Sequence, residues 1–277
     1  MFRTILLLPL FNALFVIYAL LPGNNFGWSI VIFTLLIRVL LWPLLKKQLH
    51  QQKAMKELQP EIAKIKKKSK GDKQKEAAML MELYKEREIN PLASLGTLII
   101  QLPILITLFV MLRGLLDVEG AALAEQIANN AYGFVAELGF VERLINNPEL
   151  FDPTFFGIHL RDPNIVLAVL AGLSQFAQSK GLQPKSDDAK TLRQILQDAK
   201  DGKATDQAEQ TAAVARSASL FLPILTVVFA LNLPSALALY WLTSSFVATI
   251  QQRVALNEEV SLLSKVKVGG RFKRSQE

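Results

Sequence analysis

Long apolar blocks alternate along the chain with charged segments, and most blocks approach the length that a membrane helix needs. The run FGWSIVIFTLLIRVLLWPLL predicts a spanning helix over about 27–45. Four further spans are predicted at 91–112, 163–179, 217–231 and 235–252. The third of the five carries Ser174, Gln175 and Gln178, with both glutamines on one face. Asn232-Leu233-Pro234 makes the last two a membrane hairpin, with Tyr240 and Trp241 well inside its second arm. Asn90 and Pro91 cap the second span, where Gln101 sits and Pro103 predicts a kink. An earlier apolar segment, 5–21, ends at the turn signal Pro22-Gly23-Asn24-Asn25. It spans or lies along the interface, and Pro9 and Asn12, awkward in mid-membrane, favour the interface. The turn is a poor signal-peptidase site, so cleavage is not expected.

Between the blocks, charge sets an orientation. Segment 46–88 holds thirteen Lys or Arg against seven acids, which places it in the cytoplasm. Met55, Leu58, Ile62 and Ile65, then Ala77, Leu80, Met81 and Tyr84 after a break at Gly71-Asp72, predict an antiparallel helical hairpin with narrow apolar seams. Segment 114–162 has eight acids and only Arg143 and Arg161 as bases, so it is external. Lysines return from Lys180, making 180–216 a cytoplasmic loop with a helical centre. Residues 254–277 form a basic cytoplasmic tail without predicted order. These features define an N-terminal helix (1–25), a core (26–253) and a tail, an all-α polytopic membrane protein.

Composition removes several functions. The chain has no cysteine, which excludes disulfides and thiol chemistry. His50 and His159 have no ligand-spaced partner, so no metal is expected. Neither a phosphate-cradling glycine loop nor a nucleophile–base set occurs in the spans, and no enzyme activity or cofactor is expected. A net charge of +7 concentrated in loops suits anionic headgroups or ribosomal RNA.

The main candidate for chemistry is Arg38, inside the first core span with no acid nearby in sequence. A guanidinium at that depth costs about 2.5–3.5 kcal/mol even on lenient scales. It should face a wet cavity or the bundle interior; alternatively its head snorkels towards Lys46 and Lys47 at the interface. Thr34 lies one turn before it on the same face. The glutamines of the third span either line that cavity or join neighbouring helices by hydrogen bonds.

Six pieces in order, TLLIRVLLWPL, LQPEIAKIKKK with LYKEREINPLASL, QLPILITL, FFGIHL, LAGLSQFAQSK and FALNLPSALALYWL, resemble the YidC-type membrane protein insertases. The resemblance covers nearly the whole chain. It departs at Ser94-Leu95-Gly96, where the family has a glycine pair and cysteine, and in the longer loops at 114–162 and after Lys180. It implies five core helices around a hydrophilic groove open to the cytoplasm and lipid, in the plasma (inner) membrane. It further implies that Arg38, Thr34, Gln175, Gln178, Tyr240 and Trp241 meet an incoming nascent segment, which then leaves laterally into the bilayer. Ribosome and secretion channel would meet the 46–88 hairpin and the tail; no small-molecule substrate is implied. An assembly factor without insertion activity shares these features, whereas a solute transporter would show internal repeats that are not seen here.

Overall fold

The structure is a computed structural model and describes residues 2–69, 72–89, 96–182, 197 and 221–272. It is helical almost throughout and divides into two units, one of residues 1–41, 98–177 and 222–247, the other of 42–97, 178–221 and 248–277.

The first unit begins with a π-helical turn, Arg3–Leu7, that runs into α1, Leu8–Leu20. After the Pro22-to-Asn25 turn, α2 spans Phe26–Leu40, with the Asn25 side chain accepting from Trp28 N at 3.0 Å as N-cap. Within α2 one face, Phe26, Ile30, Phe33, Thr34 and Arg38, is buried and the opposite face is exposed. Taken together with α3, Trp42–Glu57, it has the length and apolarity to cross a membrane, as Arg3–Leu20 has alone. The predicted 27–45 helix is broken at Leu41, so Arg38 stands in the last turn of α2 rather than mid-helix. Pro43 explains this, because it has no N–H to donate to the carbonyl one turn back.

The second predicted span is α6, Gly96–Leu116, which ends one turn later than expected and is continuous through Pro103; its Asn90-Pro91 start lies outside the described residues. The third is α10, Ile165–Leu182. The fourth is helical over Phe221–Ala230, here α11, and its expected start at 217 lies outside the described residues. The fifth, α12, covers Ser235–Phe272 without a break, so the tail expected to lack order is helical to that residue. No Pro interrupts the sequence beyond Ser235, which is compatible with one continuous helix.

A close approach joins α10 to α11. A Cβ on Gly172 would lie 2.3 Å from Val227 Cγ2 and 3.2 Å from the Pro223 carbonyl oxygen. Val227 is stiff at χ1 and the carbonyl is backbone, so neither yields easily. Gly172→Leu is expected to destabilise the protein by about 1–3 kcal/mol through overpacking, despite leucine's better helix propensity. Thermal unfolding in detergent checks it: a midpoint at or above that of the parent protein would contradict this packing.

The 114–162 segment is ordered well beyond the sequence expectation. It contains α7 (Gly120–Asn130), α8 (Gly133–Ala136) and α9 (Gly139–Asn146), then a two-stranded antiparallel hairpin, β1 (Thr154–Phe155) and β2 (Ile158–His159). Leu123, Ile127, Val135, Val141 and Leu144 are buried and join Phe11, Leu14, Phe15 and Tyr18 of α1 in the core. Asn12 is satisfied there: its Nδ2 donates to Asn130 O at 2.9 Å, and its Oδ1 accepts from Tyr132 N at 2.6 Å. The polar group that looked awkward for a membrane helix thus fastens α1 to this cap.

In the second unit, α4 (Gln59–Ser69) packs on α5 (Lys73–Glu86). Leu58, Ile62 and Leu83 form the seam, flanked by Met55, Ile65, Leu80, Tyr84 and Ile89. The expected register of the second arm is corrected: Met81 is 69% exposed, Ala77 is exposed and Leu83 is the buried residue. Both Leu80–Met81–Tyr84 and Leu80–Leu83–Tyr84 satisfy helical spacing, and only contact with α4 selects between them. Burial raises the Tyr84 phenol above its ordinary pKa. The first arm is two helices, α3 and α4, parted at Leu58 ahead of Pro60.

Candidate functional site

Arg38 is 7% exposed and turned towards α12. Its Nε and Nη2 both donate to Ser244 Oγ, at 3.0 and 2.5 Å. Two of its N–H groups thus converge on one hydroxyl oxygen, which orients the guanidinium. The interior placement expected from sequence matches this geometry, while a snorkelling head would have been exposed.

Thr34 is buried at 1% exposure, and its Oγ1 donates to Ile30 O at 2.6 Å, the usual way for a threonine to satisfy its hydroxyl within its own helix. It shares the buried face of Arg38. Tyr240, 3% exposed, accepts at its hydroxyl from Gln101 Nε2 at 2.7 Å, joining α12 to α6. Gln175 joins α10 to α12, its Oε1 accepting from Trp241 Nε1 and from Ser245 Oγ, each at 3.0 Å. Gln178 follows one turn along α10 and is half-buried, but it belongs to the other unit.

Two registers of α12 serve three neighbouring helices. Tyr240 and Ser244, four residues apart, meet Gln101 and Arg38, while Trp241 and Ser245, also four apart, both meet Gln175. The sequence signalled Tyr240 and Trp241 but not the serines, because small hydroxyls in an apolar helix disturb no hydrophobic period. Repetition of the spacing from 240–241 to 244–245 was the available signal. The arrangement places one cation beside amides and hydroxyls, chemistry suited to weak polar contact. Among the described residues, no group of three or more His, Asp or Glu has the geometry to hold a metal ion.

At their N-terminal ends α2 and α12 are tied to the cap. Asn25 Nδ2 donates to Thr154 O at 3.2 Å, Ser235 Oγ to His159 O at 3.2 Å, and Ala236 N to Leu160 O at 3.0 Å. Arg161 forms an ion pair with Glu119 and also donates to Val118 O at 3.4 Å, bracing the loop that leads from β2 to α10. The end of the bundle opposite Arg38 is thereby closed by hydrogen-bonded backbone.

The family described as 60Kd inner membrane protein matches residues 16–261, which includes every residue of this site. The chain is 35% identical over 230 residues to the membrane protein insertase YidC of Fusobacterium nucleatum subsp. nucleatum, covering 83% of this chain and 85% of that one. It is 30% identical over 233 residues to the membrane protein insertase MisCA of Bacillus subtilis, covering 82% and 69%. Against the YidC of Wigglesworthia glossinidia brevipalpis identity is 28% over 246 residues, or 89% of this chain and 36% of that longer relative. On the extent of these matches, the chain belongs to the 60Kd inner membrane protein family, the family of the YidC-type membrane protein insertases.

Proposed function

We propose that this protein is a membrane protein insertase of the inner membrane, in which Arg38 receives the polar tail of a nascent membrane segment. The observation that carries this reading is the burial of Arg38 beside a neutral serine within helices whose outer faces are apolar. Threading a polar tail through lipid requires dehydrating it. A wet half-channel reaching the depth of Arg38 shortens the apolar distance, and the fixed cation attracts acidic residues of the tail in a low-dielectric setting. No nucleotide is consumed: a segment of about twenty apolar residues moves downhill when it leaves sideways into lipid.

In this reading α2, α6, α10, α11 and α12 are the five core spans, with 46–88, 180–216 and the tail in the cytoplasm and 114–162 outside. The bonds of Asn12 and Arg3 to the external cap favour placing α1 along the outer interface. Thr34, Gln175, Tyr240 and Trp241 belong to the groove that the substrate meets, and Gln178 continues the polar face of α10 one turn beyond Gln175. The amide–indole and amide–hydroxyl contacts of Gln175 represent its resting state, which an arriving helix displaces between α10 and α12. The basic 46–88 hairpin and the tail are the surfaces assigned to ribosome and secretion channel.

Photocrosslinkers test the path. Placed at Gln175 and Trp241, they should capture a stalled nascent span, and one at the exposed, external Glu137 should not. Capture by the Glu137 probe alone would dismiss the groove.

A further inference from the structure

The turn between β1 and β2 departs from ordinary turn chemistry. Phe156 and Gly157 both have positive φ, 49° and 77°, between the cross-strand pair Phe155↔Ile158. A two-residue hairpin loop of this form suits Asn, Asp or Gly at its first position, and a phenylalanine there is strained. The side chain recovers nothing from the protein core, since Phe156 is 80% exposed. Its neighbour Phe155, with its ring centroid 4.7 Å from that of Phe156, is buried against Gly27, where a Cβ would lie 2.3 Å from the ring. Trp28, 47% exposed, completes the group, with its ring centroid 5.5 Å from that of Phe155 and 6.0 Å from that of Phe156.

This aromatic tip is rigidly joined to α2. Asn25 caps the helix through Trp28 N and donates to Thr154 O, so one side chain positions helix and strand together. On α2 the exposed residues Trp28, Leu35, Leu36 and Val39 fall on one face, opposite Ile30, Phe33, Thr34 and Arg38. If α2 spans the bilayer, as in the function proposed above, that face meets acyl chains. Phe156 prolongs the same apolar stripe one step past its Trp28 end, where the chain turns polar at Asn24 and Asn25. Tryptophan and flanking aromatics favour the boundary between headgroups and chains.

From this continuity we propose that the Phe156 tip and Trp28 insert together into the outer-leaflet boundary of the lipid bilayer, and that this anchor sets the depth of α2 and with it the height of Arg38. The inference rests on the spanning placement of α2, and the experiment separates the two.

Because the chain lacks cysteine, single-cysteine variants carry a spin label at one place only. Labels at Leu35→Cys, Phe156→Cys and Glu137→Cys are compared in liposomes of phosphatidylethanolamine and phosphatidylglycerol, using collision with oxygen and with a water-soluble nickel chelate. The Phe156 and Leu35 labels should be oxygen-accessible and shielded from nickel, and the Glu137 label the reverse. A Phe156 label as open to nickel as the Glu137 label, with the Leu35 label still shielded, overturns the anchor alone; this outcome would leave the tip to water or to a protein partner. A Leu35 label open to nickel overturns the anchor and the spanning placement together. Adding Phe156→Asp to the Leu35→Cys variant should shift the label's depth by a few ångströms, and an unchanged depth would overturn the depth-setting role.

Discussion

Arg38→Ala should lower the insertion of substrates with acidic translocated tails by about tenfold, equivalent to about 1.4 kcal/mol of barrier, while neutral tails lose less than about a factor of two. The sign and size follow from Coulomb attraction: two unit charges 4 Å apart gain about 1 kcal/mol in water and about 4 at an effective dielectric of 20. A transient, partly wet contact falls between these. Arg38→Gln keeps hydrogen-bonding capacity towards Ser244 without the charge and should behave like the alanine variant. Arg38→Lys keeps charge but replaces the paired Nε and Nη2 contact by a single ammonium, and should fall between parent and alanine. Insertion into proteoliposomes, scored by protease protection of the tail, measures all three. Equal losses for acidic and neutral tails would assign Arg38 to packing alone.

Fastening α10 to α12 should abolish lateral release. Gln175 and Ser245 already touch, and the chain offers no other thiol, so Gln175→Cys with Ser245→Cys can be bridged by a short reducible crosslinker. Bridged protein is expected to lose more than about nine-tenths of its insertion activity, a barrier increase of at least about 1.4 kcal/mol, and to regain it on reduction. Comparison before and after reductant removes the effect of the substitutions themselves. Full activity while bridged would mean that substrate does not leave between these helices.

Periodicity made the faces of single helices legible. Thr34 and Arg38 were placed on one side of α2 by spacing alone, and both are buried there. The seam of α4 was legible for the same reason, since Leu58, Ile62 and Ile65 repeat along it. Spacing does not report which of two adequate registers a partner selects, which is why Leu83 and not Met81 closes the hairpin. Pairings across the bundle were also hidden: Gln101 meets Tyr240 across 139 residues and Gln175 meets Ser245 across 70. A local window contains one partner of each pair. The cap at 114–162 escaped for another cause. Its helices are short, and they bury one to three side chains each against α1 and one another, so their apolar pattern is hard to tell from that of an ordinary loop.

The distance in sequence between Arg38 and Ser244 bears on how the molecule itself is made. The two are 206 residues apart, and at about 5–20 residues per second the ribosome needs roughly 10–40 s between them. Before that interval ends α2 and the cap can fold, because Asn12, Asn25, Tyr132 and Thr154 have all been synthesised by residue 154. The guanidinium lacks its serine until the final helix arrives. A chain released before Ser244 would therefore carry α2 and the cap already joined, with an arginine not yet held by its serine.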